Sequence, residues 1–343
     1  MRLPSSSGLS RSRALAAPIA SLALVLAVLG WPASGTHAAG GSAAAVSSPA
    51  ASSTSAPSGS STSAPSGPPS SSAASAARLA GTHPTKILVV VEENHSYAQM
   101  RSGMPYLYGL AQRYGYATRW SALSHPSLPN YLGLSAGTTF GITDDRGSAA
   151  HASDVGGSAS VFDQAIVHGR SARVYAESMP SGCYPYDYPK AAPSYAARHN
   201  PWTYFSAGRS RCRSYDVPAT GFRAAARADR LPDLGLLVPN LCHDAHDCSL
   251  GTADSWLRSQ LPDVLSSSDF TSGRLVVVVT ADEDDRRAGN AVLTTVLSPR
   301  LSHKVVTAPL THYSLTRYME RLVGAPLLNG ARTAPDLGAA FGL

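Results

Sequence analysis

An α/β domain around a largely parallel sheet is the fold this sequence predicts, and three observations predict it. Ile87-Leu88-Val89-Val90-Val91 and the run from Leu275 to Val279 are continuous, β-branched and apolar, the mark of strands buried on both faces. Shorter apolar runs at 173–175, 235–238 and 291–297 alternate with helical periodicities at 105–114, 160–168, 253–261 and 313–322. Polar clusters stand just after three of the strands: Glu92-Glu93-Asn94-His95, Asn240 with His243, Asp244, His246 and Asp247, and Asp282-Glu283-Asp284-Asp285. In open α/β sheets ligands bind beyond the carboxyl ends of the strands, so these clusters are expected to converge on one site.

The chain has 343 residues, 43% of them hydrophobic, which excludes a mostly disordered protein and a multi-span membrane protein. Arg2, Arg11 and Arg13 precede an uncharged apolar stretch from Ala14 to Trp31 and then small residues through Ala39. This reads as a secretory leader over 1–39, and Pro18 weighs against a stable spanning helix. Residues 40–82 are dominated by Ser, Ala, Pro and Gly, and Ser-Ser-Thr-Ser-Ala-Pro-Ser-Gly at 52–59 repeats at 60–67. Such a segment buries too little apolar surface to offset chain entropy and is expected to be a disordered tether. The first acidic residue is Glu92, so all acidic chemistry belongs to the domain expected over 83–343. A secreted, extracellular or envelope-associated protein with no membrane span after leader cleavage follows.

The formal charge is +6, and removing the three leader arginines leaves +3. No basic run or basic-aromatic alternation supports nucleic-acid binding, and none is expected. Cys183, Cys212, Cys242 and Cys248 allow three pairings in an exported chain. Cys183–Cys212 and Cys242–Cys248 are favoured, because each pair falls within one insertion or loop. The rival is zinc, since Cys242-His243-x-x-His246-x-Cys248 packs four ligands into seven residues; structural zinc sites usually separate their ligands into two knuckles. The Tyr- and Pro-rich stretch 179–218 is read as an insertion or cap.

Clustered Asp, Glu, Asn and His suit a divalent cation, which polarises a phosphoryl group and activates a nucleophile. Two serines compete for that role. Ser127, in His125-Pro126-Ser127-Leu128-Pro129-Asn130-Tyr131, would stand at a strand-to-helix junction, where backbone N–H groups favour a phosphate. A capping serine would stand there too, and a cap still presents its hydroxyl. Ser135 lies in Gly133-Leu134-Ser135-Ala136-Gly137, a G-x-S-x-G match followed in chain order by Asp282 and His312. That elbow needs a buried strand directly before the serine, whereas Pro129-Asn130-Tyr131-Leu132 reads as a helix start. A Ser135-Asp282-His312 carboxylesterase is therefore the second reading.

Val89-Val90-Val91-Glu92-Glu93-Asn94-His95-Ser96-Tyr97, His125–Tyr131 and Val279-Thr280-Ala281-Asp282-Glu283-Asp284-Asp285 resemble the bacterial phosphoesterase family of phospholipases C and secreted acid phosphatases, including phosphatidylinositol-3-phosphate phosphatases. The similarity runs on through Glu177-Ser178-Met179-Pro180, His199-Asn200-Pro201-Trp202, Pro239-Asn240 with His246-Asp247, Asp254-Ser255-Trp256-Leu257 and His312-Tyr313-Ser314-Leu315, covering about 86–326. The resemblance implies an alkaline-phosphatase-like α/β/α sandwich. It implies a divalent metal ion held by Glu93, Asn94, Asp282 and Glu283, with Ser127 as the nucleophile that becomes a phosphoserine. His246 and His312 are then expected to contact phosphate or protonate the leaving group, and His125, Asn130 and Asp247 to bind substrate. The substrate would be a phosphorylated small molecule or phospholipid. A phosphate monoester is favoured, with a phosphodiesterase or phospholipase C as the alternative at the same site. Two positions depart from the family pattern: His243 stands where Asn is usual, and Ala281 where an aromatic residue is common. Sulfatases share the superfamily fold, but Cys183-Tyr184-Pro185-Tyr186-Asp187 lacks the Arg of their C-x-P-x-R motif.

Overall fold

The computed structural model describes residues 83–189 and 193–343; the expected leader and tether lie outside the described residues. The strands are β1 (Lys86–Glu92), β2 (Gly115–Ala117), β3 (Trp120–Ser121), β4 (Ala172–Ala176), β5 (Asp216–Pro218), β6 (Leu234–Val238), β7 (Leu275–Ala281), β8 (Thr294–Leu297), β9 (Lys304–Val306) and β10 (Leu310–Thr311). Eight of them form one sheet in the order β5-β4-β6-β1-β7-β8-β2-β9, and β10 pairs with β3 in a small second sheet.

The two longest apolar runs occupy the centre. β1 pairs in parallel with β6 on one side and β7 on the other, with Val90 opposite both Leu237 and Val279. Every residue of β1 from Ile87 to Glu92, and every residue of β7, is buried. The sheet is parallel from β5 to β7, and β8 runs antiparallel to both β7 and β2. Helices Tyr97–Gly103, Pro105–Arg113 and Leu250–Leu265 pack together, and a second group joins Ser127–Ala136, Val161–Val167 and His312–Val323. The result is the expected α/β/α sandwich. Ser160 and Ser249 accept backbone N–H groups at the starts of their helices, each such cap contributing about 1 kcal/mol.

The stretch 179–218 is not wholly an insertion. Its last residues form helix Arg209–Tyr215 and edge strand β5, which pairs with β4. Both favoured disulfides, Cys183–Cys212 and Cys242–Cys248, are present. The zinc reading of 242–248 thereby loses both its thiolates. No helix among the described residues is long and apolar enough to cross a membrane.

Candidate active site

The site forms where β1, β6 and β7 end. Register places Glu92 opposite Ala281, so Glu93 and Asp282 leave adjacent strands side by side. Backbone bonds then tie three loops together: Asp282 donates its N–H to the Glu92 carbonyl at 2.9 Å, and Glu93 donates to the Asp244 carbonyl at 2.7 Å. Asn94 takes a left-handed conformation (φ 53°), one that Asn tolerates better than most residues. That turn aims the Asn94 N–H at Asp282 Oδ1, 3.1 Å away.

Helix Ser127–Ala136 delivers the hydroxyls. Residues four apart share a helix face, and here Ser127 and Tyr131 both donate to the fully buried Glu93 carboxylate. Ser127 Oγ lies 3.0 Å from Glu93 Oε2, and the Tyr131 hydroxyl makes a short hydrogen bond to Oε1. His199 stacks on the Tyr131 ring at 5.1 Å. Its Nδ1 lies 3.2 Å from Asp244 Oδ2 and its Nε2 3.4 Å from Glu93 Oε2. With Nδ1–H donated to Asp244, Nε2 keeps its lone pair facing Glu93.

Negative charge in this pocket exceeds what the protein neutralises. Burial, then the charges of Asp282 and Asp244, push Glu93 well above the usual carboxylate range, although Tyr131 and Ser127 oppose this. Burial also raises Asp244, and burial with the neighbouring Glu283 charge pushes Asp282 up to about 7. Behind them Glu92 is fully buried, both its oxygens lack a hydrogen-bond partner, and burial raises it as well. Burial drives His199 well below its ordinary value. Buried charges are normally paired or coordinate a metal. Ligand atoms of Glu93, His199 and Asp244 lie within 4.8 Å of one another, and Asp282 Oδ2 and His199 Nε2 have no hydrogen-bond partner. This donor set of oxygen and imidazole nitrogen fits a divalent cation.

The expected residues separate into two groups. Glu93, Asp282 and Ser127 meet, and Asn94 contributes its backbone N–H to Asp282. Glu283 instead accepts from Asn130 Nδ2 at 3.1 Å and faces His125 Nδ1 at 3.1 Å. Burial pushes Glu283 up to about 8. Asn130, expected to bind substrate, is occupied in holding its own loop. Its Oδ1 accepts from the Leu123 and Ser124 N–H groups, and its Nδ2 donates to Ser124 O, Pro126 O and Glu283. His125 bridges Glu283 and Asp284. His246 Nδ1 lies 2.7 Å from Asp247 Oδ1 and its Nε2 lies 3.1 Å from Arg198 Nη2, at the partly exposed mouth. Asp247 thus contacts the histidine, and its side chain is 42% exposed.

His312 does not have the freedom of a proton donor. Trp120 Nε1 donates to its Nδ1 at 3.2 Å, and its Nε2 is 2.6 Å from the Asp282 carbonyl. Fully buried, and held down to about pKa 4 by that burial, the ring anchors the loop that carries Asp282. The same contacts dismantle the Ser135 triad. Ser135 sits in the last turn of helix Ser127–Ala136 rather than after a strand, and among the described residues no histidine or carboxylate hydrogen-bonds to it. His243, the departure from the family pattern, stacks on Trp256 at 5.7 Å and faces Glu177 at 2.8 Å.

Sequence reasoning placed Asp244 in a polar cluster expected at the site without giving it a role, and passed over Tyr131 and His199, though both lie in quoted motifs. It also missed Asp145, which accepts the Leu128 N–H at 2.9 Å directly beside Ser127. Arg198 extends towards Asp145 (3.8 Å), Asp187 (3.9 Å) and His246.

A chain with this sandwich and a hydroxyl held on a carboxylate cluster belongs to a recognisable class. The Phosphoesterase family model matches residues 95–325, and the chain belongs to that family. It is a phosphoric ester hydrolase. A phosphatidylinositol-3-phosphatase of Mycobacterium tuberculosis is 28% identical over 264 residues, covering 75% of this chain and 82% of that protein. A phosphate-repressible acid phosphatase of Penicillium chrysogenum is 30% identical over 220 residues, 62% of this chain. The chain spans 52% of that fungal relative's length. Among solved structures, an alkaline phosphatase superfamily protein from Vibrio parahaemolyticus superposes with a TM-score of 0.52 at 12% identity, covering 76% of this chain and 72% of that one. That likeness extends to the fold.

Proposed function

We propose that the chain is an exported phosphomonoesterase that works through Ser127 beside a divalent cation. One observation carries this reading: the Ser127 hydroxyl donates to Glu93 inside a cluster of buried carboxylates that, among the described residues, no Lys or Arg pairs with and that only the neutral His199 faces. Glu93, His199 and Asp244, with Asp282 beside them, would hold the cation. When bound it would offset the carboxylate charge and draw negative charge from the phosphoryl oxygens.

The protein's own groups account for the remaining steps. Ser127 Oγ attacks phosphorus and passes its proton along its 3.0 Å hydrogen bond towards Glu93 Oε2. The bond from phosphorus to the leaving alcohol oxygen breaks, and that oxygen takes a proton from water, because His246 receives the Arg198 guanidinium on Nε2 and spends Nδ1 on Asp247. Water then cleaves the phosphoserine and restores the hydroxyl. Tyr131 and the stacked His199 fix the Glu93 carboxylate, while Asn130 and Asp145 hold the loop and helix start that carry Ser127. Arg198, 3.1 Å from His246, is suited to a substrate phosphate.

The domain plan of leader, tether and catalytic domain is part of this proposal, and two disulfides suit an oxidising compartment. Relatives named for acid phosphatase and phosphatidylinositol-3-phosphatase activities support a phosphorylated small molecule or phospholipid as substrate. Turnover of p-nitrophenyl phosphate and bis-p-nitrophenyl phosphate by wild type and Ser127→Ala tests the reading. Monoester turnover lost in the variant by at least about a thousandfold is expected. Preferred hydrolysis of the diester would move the substrate class, and a fully active variant would remove the mechanism.

A further inference from the structure

A second feature lies beside the mouth. Tyr186 is 65% exposed and Tyr188 45% exposed, and both rings pack edge-on against Tyr184, with centroids 5.8 and 6.0 Å away. The other large exposed apolar side chains among the described residues, Val167, Tyr215 and Val305, lie on other elements. The ridge stands on a fixed base. Tyr195, itself buried, donates its hydroxyl to the Tyr184 carbonyl at 2.8 Å, and Tyr188 and Tyr195 exchange both backbone hydrogen bonds. Cys183, next to Tyr184, is bonded to Cys212 and donates its N–H to the Asp216 carbonyl of β5 at 3.0 Å.

Tyr184 and Tyr186 also line an open depression of about 480 Å³, together with Ser148, Ser181, Arg209 and Arg213. Among the described residues no acidic side chain lines it, although the exposed Asp187 stands between Tyr186 and Tyr188 on the ridge and its carboxylate pairs only with Arg198. Arg213 is exposed and forms no ion pair among the described residues. The ridge connects to the catalytic residues through one short segment. Asp187, between the two exposed tyrosines, accepts the Ala197 N–H at 2.8 Å and lies 3.9 Å from Arg198, and the next residue, His199, faces Glu93.

Rigid, exposed tyrosines suit a surface that is apolar on one side and wet on the other, because the ring buries while the hydroxyl stays hydrated. The exposed Arg213, and the half-buried Arg209 whose guanidinium reaches Cys183 Sγ at 3.7 Å, add attraction for anionic headgroups. A small soluble monoester would need neither feature. We infer that the Tyr184-Tyr186-Tyr188 ridge, with Arg209 and Arg213, docks the chain on an anionic phospholipid surface and brings its headgroups to Ser127. The docking stands on the ridge itself; the delivery of substrate rests on the phosphoesterase reading above.

The test uses the mature full chain and phosphatidylcholine vesicles with or without a phosphatidylinositol phosphate. Co-sedimentation is measured at low and high salt in a Ser127→Ala background, so that the lipid is not consumed. The unmodified ridge is expected to bind the anionic vesicles and to release them as salt rises. Tyr186→Ser/Tyr188→Ser and Arg213→Gln should each weaken vesicle binding, the tyrosine pair by at least about tenfold. With Ser127 restored, both should hydrolyse p-nitrophenyl phosphate at the wild-type rate. Variants that bind vesicles as tightly as the unmodified ridge would overturn the inference. So would a chain that ignores vesicles and instead binds soluble phosphorylated sugars through the same tyrosines. Normal monoester turnover without vesicle binding would strike the ridge alone, whereas vesicle binding without turnover would strike the phosphoesterase chemistry alone.

Discussion

The two ends of helix Ser127–Ala136 carry one serine each, and they do different work. Ser127, at the start, meets a buried carboxylate, and Tyr131 one turn later meets the same group. Ser135, in the last turn, lies among Val89, Leu134, Phe162 and Met319. Beyond it the helix stops at Gly137, in the left-handed conformation, whose carbonyl accepts the Gly330 N–H at 2.8 Å. Serine is a nucleophile or a packing residue according to what faces it. The start of the helix points at uncompensated charge, and its end is closed by backbone and apolar groups.

This difference ranks the substitutions. Ser127→Ala should have the largest effect, the loss of turnover set out above, with little change in thermal stability. Tyr131→Phe keeps the ring stacked on His199 but removes the donor to Glu93. It should lower kcat by about tenfold and weaken metal retention, read from steady-state kinetics and metal content after dialysis. A wild-type kcat would mean that Glu93 needs no orientation from that hydroxyl. Gly137→Ala should leave kcat unchanged yet destabilise the fold by about 2 kcal/mol in denaturant titration, because a β-carbon there lies 2.7 Å from the Leu328 carbonyl in addition to the strained φ of 65°. Ser135→Ala should be the quietest, within about 0.5 kcal/mol of wild type and fully active. An inactive Ser135→Ala that stays folded would reverse the assignment of the two ends.

The central strands were legible in the sequence because β1 and β7 are buried on both faces and so must be apolar throughout. β2, β3, β9 and β10 were not legible, since two or three residues paired across long separations leave no local period. The site was half legible. Clusters after buried strands located the pocket, and the resemblance singled out Glu93, Asp282 and Ser127 within it. Which carboxylate of a run turns inward is a backbone matter, and composition does not reveal it. Asp284, in the same run as Asp282, accepts three backbone N–H groups, from Arg286, Ala288 and Asn290. These bonds outweigh its burial and hold it below the usual carboxylate range, so it braces the loop. Tyr131 and His199 escaped notice because a buried aromatic residue reads as core until its polar atom has an address. His312 shows the converse, a histidine in a family motif whose two nitrogens are both spent on structure.

The most direct test of the account is to trap the covalent intermediate. Wild-type protein mixed with a phosphate monoester is quenched in acid within one turnover, digested, and mapped by mass spectrometry. The account predicts phosphate on the peptide that contains Ser127, and none on Ser127→Ala. Full turnover with that peptide unmodified, or phosphate on another residue, would contradict it.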